Sequence, residues 1–357
     1  MHWTCHEDGI STRLTRDQGL RHPFVSAGMG FVAHPALAAA VADAGGLGMV
    51  GATPDPPESL PVMVAELRAL TDEPWGVDLI CADTGLGPAT TDEHIEACTT
   101  SEVPLVVFHH DPPPRRWVDR LAAAGVSVWM QVSSVALADA ATGLGITGLV
   151  AQGAEAGGHN RATVGLHRLL TELRDRYPDR LIVAAGGIAD GDAVADAIRA
   201  GADGVWVGTR LVASHEAYAH AEYKRRLVAA RGPAMTTTAF GPEWPDQAYR
   251  VLPTRTVAEW TGREIPHPPP GPAVIGHTRL FPHSANLPYD MPKFSCVPPT
   301  PDTSGDFDEM TYPAGDGVGH VAGVRPAAEI VTEMMRDAHA LLASRPAVPG
   351  ATRHAST

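Results

Sequence analysis

Short apolar runs rich in β-branched residues recur along the first two thirds of the chain, each followed by a longer Ala-rich stretch with helical spacing. The runs predict strands at residues 22–27, 48–52, 76–80, 104–110, 126–132, 148–153, 181–187 and 204–209. Helices are predicted between them. The stretch 35–44 opens with Pro35 in its first turn and stops at Gly45-Gly46, while 192–200 puts Val194, Ala197 and Ile198 on one face and ends at Gly201. Eight consecutive strand-helix units with no long crossover favour a closed (β/α)8 barrel, a TIM barrel, over residues 1–230; an open doubly wound sheet is the competing architecture.

Beyond residue 231 the periodicity is lost and Pro and Gly become dense at 266–272 and 298–301, which predicts long loop. Within it, residues 243–260 carry Trp244, Trp260, Tyr249, Arg250 and Arg255, a composition that suits covering a pocket and equally suits wrapping the barrel surface. Helical spacing returns at 326–342, where Ala327, Ile330, Val331, Met334, Met335 and Ala338 form an apolar stripe. A stripe of that kind packs rather than reacts. Residues 231–357 are therefore expected to form a C-terminal extension packed on the barrel, not an independent domain.

Composition narrows the partners. The 41 acidic residues outnumber 27 basic ones, for a net charge of −14, which argues against a nucleic-acid footprint. Cys5, Cys81, Cys98 and Cys296 show neither disulfide-framework nor metal-ligand spacing, so a reducing cytoplasm is expected and no metal is predicted. The start Met1-His2-Trp3-Thr4 lacks a basic-then-apolar leader, and no window approaches the ~20 apolar residues of a membrane span. A small-molecule substrate is expected. A homo-oligomer is compatible with the sequence, which fixes no oligomeric state.

In a barrel of this kind the C-terminal ends of the strands carry the chemistry, and the loops after the seventh and eighth strands commonly hold phosphate. Here those ends read Ala184-Ala185-Gly186-Gly187-Ile188 and Val207-Gly208-Thr209-Arg210. Glycines let backbone N–H groups approach a phosphate, and the threonine adds a hydroxyl; a Gly-Gly pair alone can equally serve a tight turn, but two such ends on adjacent strands favour phosphate. The sixth strand ends Gln152-Gly153-Ala154-Glu155-Ala156-Gly157-Gly158-His159, which puts a histidine at the same mouth, placed either for proton transfer or as a loop cap. His109 and His110, ending the fourth strand, are second candidates. No GxSxG elbow or Walker-type loop is present, so covalent hydrolase chemistry has little support.

These segments resemble the nitronate monooxygenases, formerly 2-nitropropane dioxygenases, and their flavin-dependent enoyl reductase relatives. The resemblance runs through Ser26-Ala27-Gly28-Met29-Gly30, the segment from Gln152 to His159, Ala185-Gly186-Gly187-Ile188, Gly204-Val205-Trp206-Val207-Gly208-Thr209-Arg210, Trp244-Pro245 and Ala314-Gly315-Asp316-Gly317. It implies FMN across the barrel mouth, with its phosphate near Ala185, Gly186, Gly187, Gly208 and Thr209 and its ring system near Ala27, Gly28, Met29, Asp78, Gln131, Gln152, Gly157 and Gly158. By the same resemblance His159 is the catalytic base and O2 the electron acceptor. Three positions depart from the family's usual residues: Gly28 for Pro, Asp78 for Asn and Asp316 for Gln. A carboxylate at 78 would be unfavourable beside an anionic nitronate unless protonated or paired. An NAD(P)H-dependent reductase of enoyl thioesters and a non-catalytic flavin-binding subunit are the alternative functions.

Overall fold

The computed structural model describes residues 3–344 apart from 7–8, 86 and 242. Eight strands, β1 (Phe24–Ser26), β2 (Gly48–Gly51), β3 (Trp75–Cys81), β4 (Leu105–His110), β5 (Ser127–Val132), β6 (Gly148–Gln152), β7 (Leu181–Ala185) and β8 (Gly204–Val207), form one parallel sheet in the order β1-β8-β7-β6-β5-β4-β3-β2. Its ends meet. Ser26 N donates to Leu47 O at 3.0 Å and Leu47 N to Phe24 O at 2.8 Å, so a bridge between Val25 and Leu47 closes the ring.

The pleat sorts each strand's side chains by parity. Val25, Met49, Val107, Trp129, Val150, Val183 and Trp206 pack together inside the ring, while Phe24, Val50, Val106, Val128, Leu149, Ile182 and Val205 pack beneath the helices. Trp129 takes so much of the interior that a Cβ on Gly148 would lie 2.5 Å from its indole. The helix Arg13–Gln18 closes the opposite, N-terminal end through Leu14, which joins the interior cluster.

Seven helices follow the first seven strands: α1 (Pro35–Asp43), α2 (Ser59–Leu70), α3 (Asp92–Thr100), α4 (Arg115–Ala123), α5 (Val135–Gly143), α6 (Leu166–Arg176) and α7 (Gly191–Arg199). The eighth place belongs to α8 (Ala327–Ala343), which packs against α7 and α1 with Ile330, Val331, Met334, Met335 and Ala338 buried. A Cβ on Gly191 would lie 2.5 Å from that of Asp337, and Arg199 Nη2 donates to Leu341 O at 2.8 Å. The extension is thus an insertion between β8 and the helix that completes the ring. A boundary at residue 230 separates that helix from its barrel.

The expectation of long loop after residue 231 needs correction. The segment contains strands Met235–Thr237 and Tyr249–Val251, a hairpin of Val274–Leu280 with Leu287–Pro292, and helix Arg255–Trp260. The two Pro-dense stretches, 266–272 and 298–301, are irregular as predicted. Strands Met235–Thr237 and Tyr249–Val251 run only three residues each, too short for a local period to mark them.

Candidate active site

The parity that fills the barrel also builds its mouth. Continued to the C-terminal strand ends, it brings Ala27, Asp78, His109, Gln131, Gln152, Ala185 and Gly208 to the inner face, where all line one cavity of about 570 Å³. Gly28, Met29, Gly157, Gly158, His159, Gly186, Gly187 and Thr209 line it from the connecting loops. Every residue expected at the cofactor or in catalysis therefore faces the same space, which lies in the usual range for a cofactor site. His110 does not. One residue past His109, it is buried, adopts a left-handed φ of 79°, and packs its ring against Trp244 and His159.

At the strand-seven end, Gly186 and Gly187 have φ of 120° and 72°, a conformation side chains disfavour. The turn leaves backbone N–H groups as the natural donors, beside Gly208 and Thr209 of the next strand. Thr209 Oγ1 accepts from Gly315 N at 2.9 Å, which ties the insertion to this corner. Among the described residues lining the cavity there is no Lys or Arg, and its carboxylates, Asp55, Asp78 and Glu243, come from other elements. A phosphate would be held by main-chain dipoles, as glycine turns and nests do. The donor set fits the phosphate of a flavin mononucleotide.

The glycines expected near the ring system are explained in part by packing. A Cβ on Gly28 would lie 2.1 Å from that of Asp78, and one on Gly157 would lie 2.4 Å from the carbonyl carbon of Ala314. Neither position has space for a side chain on this backbone.

His159 is positioned by the insertion. Gly158–His159 pairs antiparallel with Tyr249–Val251, opposite Arg250 and Tyr249. Its ring stacks on Tyr249 at 4.0 Å and 10°, with Trp244 tilted against it at 4.3 Å. Nε2 is buried without a partner. Burial, then the nearby charge of His109, pushes this imidazole down to about 3 from its ordinary value near neutrality. It is held neutral. His110 is pushed to about 2, by burial first and then by His109, Arg161 and His159.

Asp78 is paired, the condition under which its charge is tolerable beside an anion. Its Oδ1 lies 2.6 Å from His109 Nδ1, and its side chain is only 4% exposed. Asp316, the other acidic departure, is bound 2.7 Å from Arg250 Nη1, while its neighbours Gly315 and Gly317 line the cavity.

Two lining carboxylates had not been singled out. Asp55, between prolines after β2, is buried with Oδ1 unpartnered, and burial raises it to about 7 against the opposing pull of its own backbone hydrogen bond. The signal available was an acidic residue among prolines at a strand's C-terminal end. Glu243 accepts from Tyr289 Oη at 2.5 Å, Ser295 Oγ at 2.6 Å and Cys296 N at 2.9 Å, and so joins parts of the insertion over the mouth. Nothing local in the sequence indicated those partners.

The fold is that of a barrel enzyme, and the candidate site is the cavity at its C-terminal mouth. Residues 11–337 match the nitronate monooxygenase family, and the chain belongs to that family of flavin-dependent oxidoreductases. Nitronate monooxygenase of Pseudomonas aeruginosa is 29% identical over 92% of this chain and 99% of its own length. An octahydroindene carboxyl-CoA dehydrogenase of Rhodococcus jostii is 34% identical over 70% of this chain and 67% of its own. Among solved structures, nitroalkane oxidase of Streptomyces ansochromogenes superposes with a TM-score of 0.74 at 26% identity, covering 93% of this chain and 99% of that one. FabK of Thermotoga maritima does so with a TM-score of 0.75 at 27% identity, covering 93% and 97%.

Proposed function

We propose that this protein binds FMN across the barrel mouth and oxidises a nitroalkane or nitronate, or a related carbon acid, with O2 as electron acceptor. The observation that carries the reading is the meeting, in one cavity, of a main-chain phosphate cradle and the reactive side chains His109 and His159. Bound FMN would supply the two-electron chemistry. The protein's part is to hold the phosphate at Gly186, Gly187, Gly208 and Thr209, to keep the substrate beneath the insertion, and to present neutral His159 to it. With four unpaired thiols the chain suits a reducing cytoplasm, where we place it, and we assign it no nucleic-acid partner. Among the described residues no helix is long and apolar enough to cross a membrane.

The reading predicts yellow protein that releases FMN on denaturation, and a flavin bleached anaerobically by ethyl nitronate but not by NADPH. Colourless protein that fails to take up FMN would refute the cofactor, and bleaching by NADPH alone would refute the substrate class. A second reading, redox chemistry on a coenzyme A thioester, draws on the Rhodococcus relative. The scarcity of cationic side chains around the cavity weighs against it, since coenzyme A carries several phosphates.

A further inference from the structure

The cavity extends beyond the residues assigned to FMN, into an arm over the loop that follows β2. Phe31, Pro54, Pro56, Ile80, Leu280 and Phe281 give that arm apolar walls. The last two come from the hairpin of the insertion, whose turn is tied down. His283 Nε2 lies 2.9 Å from His34 Nδ1, at the start of α1, and its Nδ1 lies 3.2 Å from Glu66 Oε2 on α2, so the turn sits over the two helices that flank β2. Asp55 is the exception in this arm. It is 1% exposed, its Oδ1 has no partner, and it is its carbonyl that takes the Nε2–H of His94, at 3.0 Å. The other two lining carboxylates are engaged: Asp78 with His109, and Glu243 with Tyr289, Ser295 and the backbone N–H of Cys296. Among the described residues lining the cavity no Lys or Arg balances Asp55. A buried carboxyl with an unpartnered oxygen is a cost to the fold, and in a cleft it points to a ligand that completes it.

We propose that Asp55 is a specificity-determining residue that binds a protonated amine carried by the substrate on an apolar chain, away from the reacting carbon. The inference rests on the carbon-acid reading above and narrows its substrate to an amine-bearing one. An ammonium brings both the N–H donor that Oδ1 lacks and the positive charge that the walls lack. An alkyl group in its place would leave Asp55 buried and unpartnered, and a site built around such a bond rejects the analogue that cannot make it. A carboxylate in its place would add an anion beside Asp55 with no cation to balance either. The net charge of −14 also favours the approach of cations over anions. Burial holds Asp55 up at about 7, so it carries a proton for much of the time near neutrality, and an arriving ammonium favours the ionised form.

Isothermal titration calorimetry of the purified protein with hexylamine, 1-hexanol and hexanoate reads the arm without any turnover. Hexylamine is expected to bind tightest and hexanoate weakest. Asp55→Asn, checked first by thermal unfolding, should weaken hexylamine ~30-fold or more, as loss of one partner of a buried charge pair does. In the wild type the affinity for hexylamine should rise with pH through the Asp55 value of about 7, because the carboxyl ionises there while an alkylamine, like lysine at about 10.4, keeps its proton. The titratable neighbours are displaced away from neutrality, His94 downward by burial and Tyr218 upward by burial and then by Asp302 and Asp55, while Glu58 on the same loop is exposed. The rise should be missing for 1-hexanol and in Asp55→Asn. A second measurement reads the substrate: in anaerobic flavin reduction 5-nitropentan-1-amine should show a lower KM than its isostere 1-nitrohexane, an advantage that Asp55→Asn removes. If hexylamine fails to bind the wild type, binds no better than 1-hexanol or hexanoate, or keeps its affinity in folded Asp55→Asn, the proposal is overturned. If Asp55→Asn does not fold, the wild-type ranking and its pH dependence decide. If hexylamine behaves as expected but neither nitro compound reduces the flavin, the carbon-acid reading fails and the amine site stands.

Discussion

The two candidate histidines stand on differently built walls of the same cavity. His109 belongs to β4 and its partner to β3, adjacent strands of the ring, so the parity of the pleat and the sheet's hydrogen bonds place both. His159 lies on the loop after β6 and is placed by a short antiparallel pairing with the insertion and by the rings of Tyr249 and Trp244. One histidine is fixed by local strand geometry and balanced by charge. The other is fixed by distant chain and surrounded by aromatic surface. A barrel strand thus carries a histidine paired with a buried carboxylate, while an inserted segment supplies the aromatic walls that keep His159 neutral.

Removing the aromatic wall should have the largest effect. Tyr249 is buried, stacks on His159 and donates to Cys296 O at 3.1 Å, so Tyr249→Ala is expected to cost about 3–5 kcal/mol, as large-to-small aromatic truncations do. It should also return the His159 titration toward its ordinary range. Denaturant unfolding measures the first effect and histidine NMR the second; a titration that does not move would show that the aromatic wall is not what keeps His159 neutral.

Acid should expose the same difference. His34, His110 and His159 are each depressed to between about 2 and 3, so the unfolded chain binds protons that the folded chain refuses. Stability is then full above the unfolded value near 6.5 and falls as pH drops through the window down to about 3, by at most about 1.4 kcal/mol per pH unit for each histidine. Thermal unfolding at stepped pH should show the decline, and His159→Asn should make it shallower. An unchanged slope in that variant would place the acid sensitivity elsewhere.

The phosphate corner gives a smaller effect. At φ 72° a side chain on Gly187 is strained, and its Cβ would lie 3.2 Å from that of Glu155. Gly187→Val is expected to weaken FMN about tenfold, in line with the ~1–2 kcal/mol that left-handed backbone costs a residue with a side chain. Flavin titration of the apoprotein reads this directly, and unaltered affinity would move the phosphate from this turn.

The smallest expected change is at the pair of Asp316 with Arg250, where the carboxylate side chain is 35% exposed. Asp316→Asn should cost no more than about 1 kcal/mol by thermal unfolding. A larger loss would mean that this contact, and not the strand pairing with Gly158–His159, holds the insertion against the barrel.

The amino-acid sequence determined the eight strands, because each is a compact apolar run bounded by glycine or proline, and it determined the order of chemistry-bearing residues at their ends. It also carried the family through motifs that are modest singly and strong in sequence. Parity along the run Leu105–His110 already placed His109 on the inner side with Leu105 and Val107. What only the tertiary structure decided were relations between segments far apart: α8 as the eighth helix of the ring, Tyr249 paired with His159, Asp78 bound to His109, and Gly28 left bare for Asp78. Local periodicity reports which way a residue faces. It holds no information about which residue will face it, because that is set when the ring closes and the insertion returns over its mouth.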